Sequence, residues 1–280
     1  MFVLCAIFAI AFLLPTVLTI TNSFMSEEEI NANYGMIFST TTGGYVSKTV
    51  NLKFIPDKVT LSQYINGLIK SPEYLLKFWN SVLLVVPIVI FQVAIASVAA
   101  YSFTRWRGKI RSGIFFFYVI LMLMPYQVTL VPNYLVSEKL GILDTRWAII
   151  LPGIFSPFAV FLLTKAMKRI PKTYFEAAML DGANEFQIFT SICYPMVRSA
   201  VFSVLMLVFI DYWNMVEQPL ILLSDESMHP LSVFLSKINS GDTGLAFAVA
   251  VIYMMPSLLM FLYGEDYLVE GITYSGGIKG

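Results

Sequence analysis

Apolar residues in this chain come in unbroken runs, and the charges between them mark where each run ends. No Asp, Glu, Lys or Arg occurs within Met1–Ser26, Phe78–Thr104, Ser112–Ser137, Trp147–Thr164 or Thr243–Gly264. A helix needs roughly 20 such residues to cross about 30 Å of hydrocarbon, and each run is close to or beyond that length. A sixth stretch, Ser199–Leu223, is equally apolar but carries Asp211 and Glu217. Within a bilayer the backbone must satisfy its own hydrogen bonds, which leaves helix as the simple solution. The pattern predicts an all-α polytopic bundle of six transmembrane spans, built as one transmembrane domain over residues 1–280.

The links between runs set the expected orientation. Arg105, Arg107, Lys109 and Arg111 crowd the link between spans two and three, and Lys165, Lys168, Arg169, Lys172 and Arg198 mark that between spans four and five. The opposite links, 134–146 and 224–242, hold only Lys139, Arg146 and Lys237. By the positive-inside rule the crowded links are cytoplasmic, and so are the loop 166–198, the tail 265–280 and both termini of this multi-pass cell-membrane protein. The first span has no basic flank, and its apolar run exceeds the ~7–15 residues of a secretory signal core, so it reads as a span. Residues 22–79 form the one extended polar segment, on the outward side, with turn signals at Thr40–Gly44 and Pro56-Asp57. A folded cap and a flexible linker fit that segment equally.

Composition agrees with the pattern. Hydrophobic residues make up 58% of the chain, charged residues 13%, and mean hydropathy is +0.75, more apolar surface than one water-soluble core could hide. The net charge of zero gives no reason to expect a nucleic-acid partner. Cys5 and Cys193 lie in or beside apolar segments without a ligand or disulfide spacing, and read as small buried hydrophobes.

Between spans four and five lies a polar, helix-forming island. Thr173 as N-cap places Glu176 three residues on, the spacing of a capping box, with Pro171 stopping the helix upstream. Phe175, Ala178, Met179, Gly182, Phe186 and Phe189 then recur at helical spacing, a stripe expected to pack against the spans. Ala177, Leu180, Asn184 and Gln187 fall on the other face, where Leu180 stands as an apolar knob suited to a pocket on a partner. A helix lying on the bilayer surface is the competing reading. Against it, the face from Tyr174 to Gln187 has no Lys or Arg and carries Glu176, Asp181 and Glu185, which anionic headgroups repel.

The second polar feature lies inside span five. On a continuous helix Asp211, Asn214, Glu217 and Gln218 share one side, an arc of about 120°. A charge at that depth costs at least ~2.5–3.5 kcal/mol against lipid, so it must face protein or water. A hydrophilic wall of a solute pathway is the favoured reading, with Asp211, Trp213, Asn214 and Gln218 as candidates; interhelical hydrogen bonding is the other. Tyr212 and Trp213 offer rings for stacking or for packing. Pro125, Pro132, Pro152, Pro157 and Pro219 are expected to break or kink spans three to five. His229, before Pro230 in an outer loop and without ligands nearby, reads as a surface residue.

Motifs for chemistry are missing. Gly108-Lys109 and Lys279-Gly280 lack the glycine spacing of a phosphate-cradling loop, and neither an HExxH pair nor a nucleophile elbow occurs. The chain is expected to be non-catalytic and to bind no cofactor or metal itself.

Glu176-Ala177-Ala178, then Gly182, Ile192 and Pro195, resembles the EAA loop of ATP-binding-cassette importer permeases, with Tyr194 where a Leu is usual. The resemblance extends through Asn80-Ser81, Ala99–Phe103, Met124–Pro132, Lys139–Thr145 with Trp147, Trp213-Asn214 with Pro219-Leu220, and the tail Gly271–Gly280. Together these are similar to the second permease subunit of maltose-type carbohydrate importers. What the resemblance implies is a permease subunit of an ATP-driven bacterial importer, taking up a sugar or oligosaccharide delivered by an extracellular binding protein. It implies coupling to the ATPase through Glu176, Ala177, Ala178, Leu180, Asp181 and Gly182. A glycine at 182 is expected, on steric grounds, for close approach of backbones. The resemblance also implies a homologous second permease, an ATPase dimer that binds the ATP and Mg, a solute-binding protein and lipid as partners, and a tail reaching the ATPase interface. The alternative is an ion-coupled secondary transporter of a small polar solute, which calls for inverted repeats and a midplane ion site that the sequence does not display. A membrane-embedded enzyme pairing Asp211 with Glu217 is a third, though those carboxylates are a poor dyad.

Overall fold

The computed structural model describes residues 2–38, 51–70, 72–106, 108–237 and 243–273. The turn signal at Thr40–Gly44 and most of the tail Gly271–Gly280 lie outside the described residues. Regular structure among the described residues is helical throughout.

Among the described residues, four helices are long and apolar enough to cross a membrane: Phe2–Asn22, Pro72–Arg105, Trp147–Met167 and Gly244–Tyr267. The expected span Ser112–Ser137 is broken where Lys109–Met122 and Tyr126–Lys139 meet at 101°, and the expected Ser199–Leu223 is interrupted between Trp213 and Glu217. A further bend of 77°, between Glu185–Met196 and Arg198–Trp213, falls ahead of that stretch, so among the described residues the count is four, or six if each bent pair is one span. The first break has a clear cause. Pro125 has no N–H, and its ring disfavours helix at Met124 before it. The chain tightens there, with Leu123 and Met124 donating to Ile120 and Leu121, and restarts from Pro125 in extended conformation.

The chain divides into two compact units, with two boundaries inside the long helices Pro72–Arg105 and Thr243–Thr273 and a third between Asp225 and Glu226. One comprises residues 1–81 and 226–258. Its small core is Met25, Ile30 and Tyr34, with Phe247 packed against them. The described part of 51–70 is folded onto helix Glu27–Phe38. Thr60 donates to the Phe24 carbonyl (2.9 Å), Asn51 to that of Asn33 (3.0 Å), and Lys53 pairs with Glu29 (2.9 Å) and Asp57. Asn80 and Ser81 are buried anchors for a distant stretch of the same unit. The Asn80 amide donates to the carbonyls of Ser227 (2.7 Å) and His229 (3.2 Å), and the Ser81 hydroxyl accepts from the Leu231 N–H (2.9 Å). His229 is therefore buried rather than at the surface, because its backbone is held by Asn80.

The other unit comprises residues 82–225 and 259–280. The short helices Trp147–Gly153 and Glu217–Leu222 pack on Tyr126–Lys139 and on each other. Asp144 fixes this corner: its carboxylate accepts from Ser224 N (2.7 Å) and its N–H donates to Leu222 (3.1 Å). The bond from Ser224 holds the Asp144 carboxyl below its ordinary pKa. Helix Thr243–Thr273 lies close on Arg198–Trp213 at Gly264, where a Cβ would stand 2.0 Å from Phe202 Cε1 and 2.8 Å from Met206 Sδ.

Candidate functional site

The polar island folds as two helical pieces about a tight turn. Lys172–Leu180 starts from Pro171 in extended backbone, with no side-chain cap. Thr173 lies inside the first turn, so the expected Thr173–Glu176 capping box does not form; Pro171 starts the helix too early for that hydroxyl to reach an N-cap position. The helix closes at the other end with a Schellman turn. Gly182 N donates to Met179 O (3.1 Å) and Ala183 N to Ala178 O (3.0 Å), with Gly182 at φ +83°. No atom lies within 4 Å of where a Cβ at 182 would stand, so within this chain the glycine serves the left-handed backbone and not a close approach.

A capping box does occur, eleven residues further along than expected. The Asn184 side chain accepts from Gln187 N (2.9 Å) and the Gln187 side chain from Asn184 N (2.9 Å), opening helix Glu185–Ile188. Stopping and restarting the helix resets its phase, so the expected single stripe splits. Phe175 and Ala178 are buried and Phe189 packs on Tyr101, while Met179 is half exposed and Phe186 stands 74% exposed. Glu176, Ala177, Asp181 and Gly182 are exposed, and Leu180 is 89% exposed. Leu180 and Phe186 are thus two apolar knobs on either side of the Gly182 turn.

This turn is gripped by the end of helix Pro72–Arg105. Arg105 donates Nη2 to Glu185 Oε1 (2.7 Å) and Nε to Oε2 (3.2 Å), and the Tyr101 hydroxyl donates to the same carboxylate. The guanidinium also lies 5.1 Å from the Phe175 ring centroid and 3.4 Å from Met179 Sδ. Glu185, the first residue of the helix after the turn, is held below the ordinary carboxyl pKa by Arg105 first and Tyr101 second. An exposed ion pair alone contributes only ~0.2–1 kcal/mol; a forked pair with an aromatic floor adds direction as well as energy. Sequence reasoning missed these groups. Arg105 counted only as a positive charge and Glu185 only as a negative one, although a basic helix end facing an acidic loop was the available signal.

Both basic links lie at the same end of the unit. Arg111 Nη1 donates to Phe103 O (2.9 Å), and Lys168, near the island, sits 4.8 Å from the ring of Phe115. The polar residues of the fifth stretch are divided by a break. Helix Arg198–Trp213 ends before Asn214, and Glu217–Leu222 begins anew, so the four residues do not share one continuous helical arc. Asp211 and Asn214 are exposed and Gln218 half-buried. Trp213 is 2% exposed and stacks on Phe209 at 5.2 Å, a packing ring rather than an open surface. Tyr212 donates to the Gly153 carbonyl at 3.4 Å. The first unit holds a cavity of about 100 Å³ lined by apolar residues such as Leu68, Phe78 and Leu231, with nothing suited to a polar solute.

Residues 92–268, well over half of the chain, match the family described as binding-protein-dependent transport system inner membrane component. The chain belongs to this family. The matched range contains the whole island, its Tyr101–Arg105 grip and the break after Trp213. The permease is 29% identical over 236 residues to the arabinooligosaccharides transport system permease protein AraQ of Halalkalibacterium halodurans, covering 82% of this chain and 84% of the relative. It is 29% identical over 207 residues to the lactose transport system permease protein LacG of Rhizobium radiobacter, covering 73% and 75%. A chain in the crystal structure of a bacterial ABC transporter involved in the import of the acidic polysaccharide alginate shares its fold, with a TM-score of 0.78, 23% identity and coverage of 95% and 94%. Family membership makes the chain a membrane component of a transport system.

Proposed function

We propose that this permease is one of two transmembrane subunits of an ATP-driven importer of a sugar or oligosaccharide, handed over by an extracellular binding protein. The substrate class rests on the relatives, whose names specify arabinooligosaccharides and lactose. The mechanism rests on one observation: Leu180, 89% exposed, ends a short helix held by a Schellman turn within the Glu176–Gly182 pattern. An apolar side chain so displayed, on a braced turn with exposed carboxylates beside it, fits a cleft on a soluble motor. In this reading the turn is cytoplasmic, both termini with it, and the ATPase dimer supplies the ATP and Mg chemistry. Closure of the ATPases would draw the turns of the two permeases together and shift the bundle from one access state to the other. Residues 22–79 would face the binding protein.

Asp211, Asn214 and Gln218 are the reading's hydrophilic pathway wall. The Asp211 side chain makes no hydrogen bond or ion pair with the described residues, yet sits in the last turn of an apolar helix, where a carboxylate needs water or a partner. Trp213 is left out, being consumed by packing. The test is Leu180→Arg in the intact complex. The variant should insert normally, as the residue is 89% exposed, and the ATPase should be lost on purification. Retention of the ATPase in normal yield would overturn the assignment.

A further inference from the structure

The Arg105 guanidinium touches both limbs of the turn at Gly182. On the helix before the turn it meets Phe175 and Met179, and beyond the turn it forks onto Glu185. Tyr101, one helical turn earlier, donates to the same carboxylate and packs its ring 5.1 Å from that of Phe189. We propose that this clasp is the joint that makes the Pro72–Arg105 span follow the coupling turn, with Arg105 and Glu185 as positioning residues. The inference rests on the coupling reading above.

The geometry supplies what a joint needs. Arg105 occupies the last turn of the Pro72–Arg105 helix, so a displacement imposed there acts directly on the end of that helix. A guanidinium–carboxylate fork fixes angle as well as distance, because two parallel bonds resist rotation that one would allow. The aromatic contacts are non-directional and by themselves would let the turn slide under the helix end. Position matters as much as strength. Glu185 opens the helix that follows the turn and Phe175 lies in the helix that precedes it, so one cation holds the hinge from both sides. The side chains of Arg105 and Glu185 are 24% and 60% exposed, so the fork can be removed without opening the core. Its loss should therefore disconnect motion rather than unfold the protein.

The test is hydrogen exchange in the intact complex of both permeases and the ATPases, with and without ATP plus vanadate. In the unsubstituted complex, amides of 97–105 and of 176–189 should both respond to nucleotide. In Arg105→Ala and Glu185→Ala the turn should respond as before, and the helix-end response should fall at least about threefold; the double exchange Arg105→Glu with Glu185→Arg should restore most of it. A merely structural role would alter exchange without nucleotide and would not be rescued by the exchange of charges. A helix end that responds fully in both single variants overturns the joint, as does a double exchange no better than the sum of its parts. Loss of the ATPase from the single variants overturns it too, by assigning Glu185 to docking. A turn that is silent to nucleotide in the unsubstituted complex overturns the coupling reading itself, and the joint with it.

Discussion

Gly182 adopts φ +83°, a conformation in which an L side chain is strained even with open space around it. Leaving the left-handed region would break the two bonds that close the helix, and staying there with a Cβ costs roughly 1–2 kcal/mol. Asn tolerates the region better than Ala, and a β-branched residue worst. The retained ATPase after purification should therefore fall in the order Gly, Asn, Ala, Val at position 182. Equal retention by Gly182→Val would show that the turn's shape is immaterial. Residues of this kind were partly legible in advance. That position 182 needs glycine could be read, but its reason could not, since a positive φ depends on where the helix stops. Leu180 was legible as an exposed knob because it is one residue on a short helix. Trp213 was not, since whether a ring packs or lies open is decided by a neighbour such as Phe209 on the next turn.

At the scale of elements, charge-free runs located most of the spans, and of the prolines expected to interrupt them Pro125 and Pro157 stand at helix starts after a break. What they did not reveal is which interruptions become sharp bends. Pro87, Pro132 and Pro256 are carried inside helices, whereas Pro125 accompanies a 101° bend. The phase reset between Lys172–Leu180 and Glu185–Ile188 was equally hidden, because a continuous stripe and two short helices fit the same apolar spacing. Helix pairing was least legible of all. Thr243–Thr273 meets Arg198–Trp213 where Gly264 faces Phe202, whose ring is hemmed in by Tyr267 at 4.9 Å and Tyr263 at 6.3 Å. With the ring so held, a methyl group at 264 must push the helices apart, at a cost of about 1–3 kcal/mol for overpacking. Gly264→Ala should lower the apparent Tm in detergent, and adding Phe202→Leu should recover part of the loss. An unchanged Tm in Gly264→Ala would show that the helix pair has slack.

For the whole molecule, the open question is what drives solute across. An ion-coupled carrier stores its energy at a titrating carboxylate, and Asp211 is the carboxylate that a proton could use. An importer worked by ATPases needs Asp211 only as an acceptor for solute or water hydrogen bonds. Asp211→Asn separates these uses, since the amide oxygen accepts hydrogen bonds but the group takes up and releases no proton at physiological pH. With a labelled sugar that the complex accepts, uptake should stop on adding vanadate and persist when a protonophore is added at constant ATP. Asp211→Asn should keep most of that uptake, whereas Asp211→Ala, lacking any acceptor, should lose it. Uptake that collapses with the protonophore, together with a dead Asp211→Asn, would assign the energy to a proton gradient. The Leu180 knob would then be a lipid or packing contact. The two outcomes exclude each other because the same carboxylate cannot be both dispensable in charge and the seat of coupling.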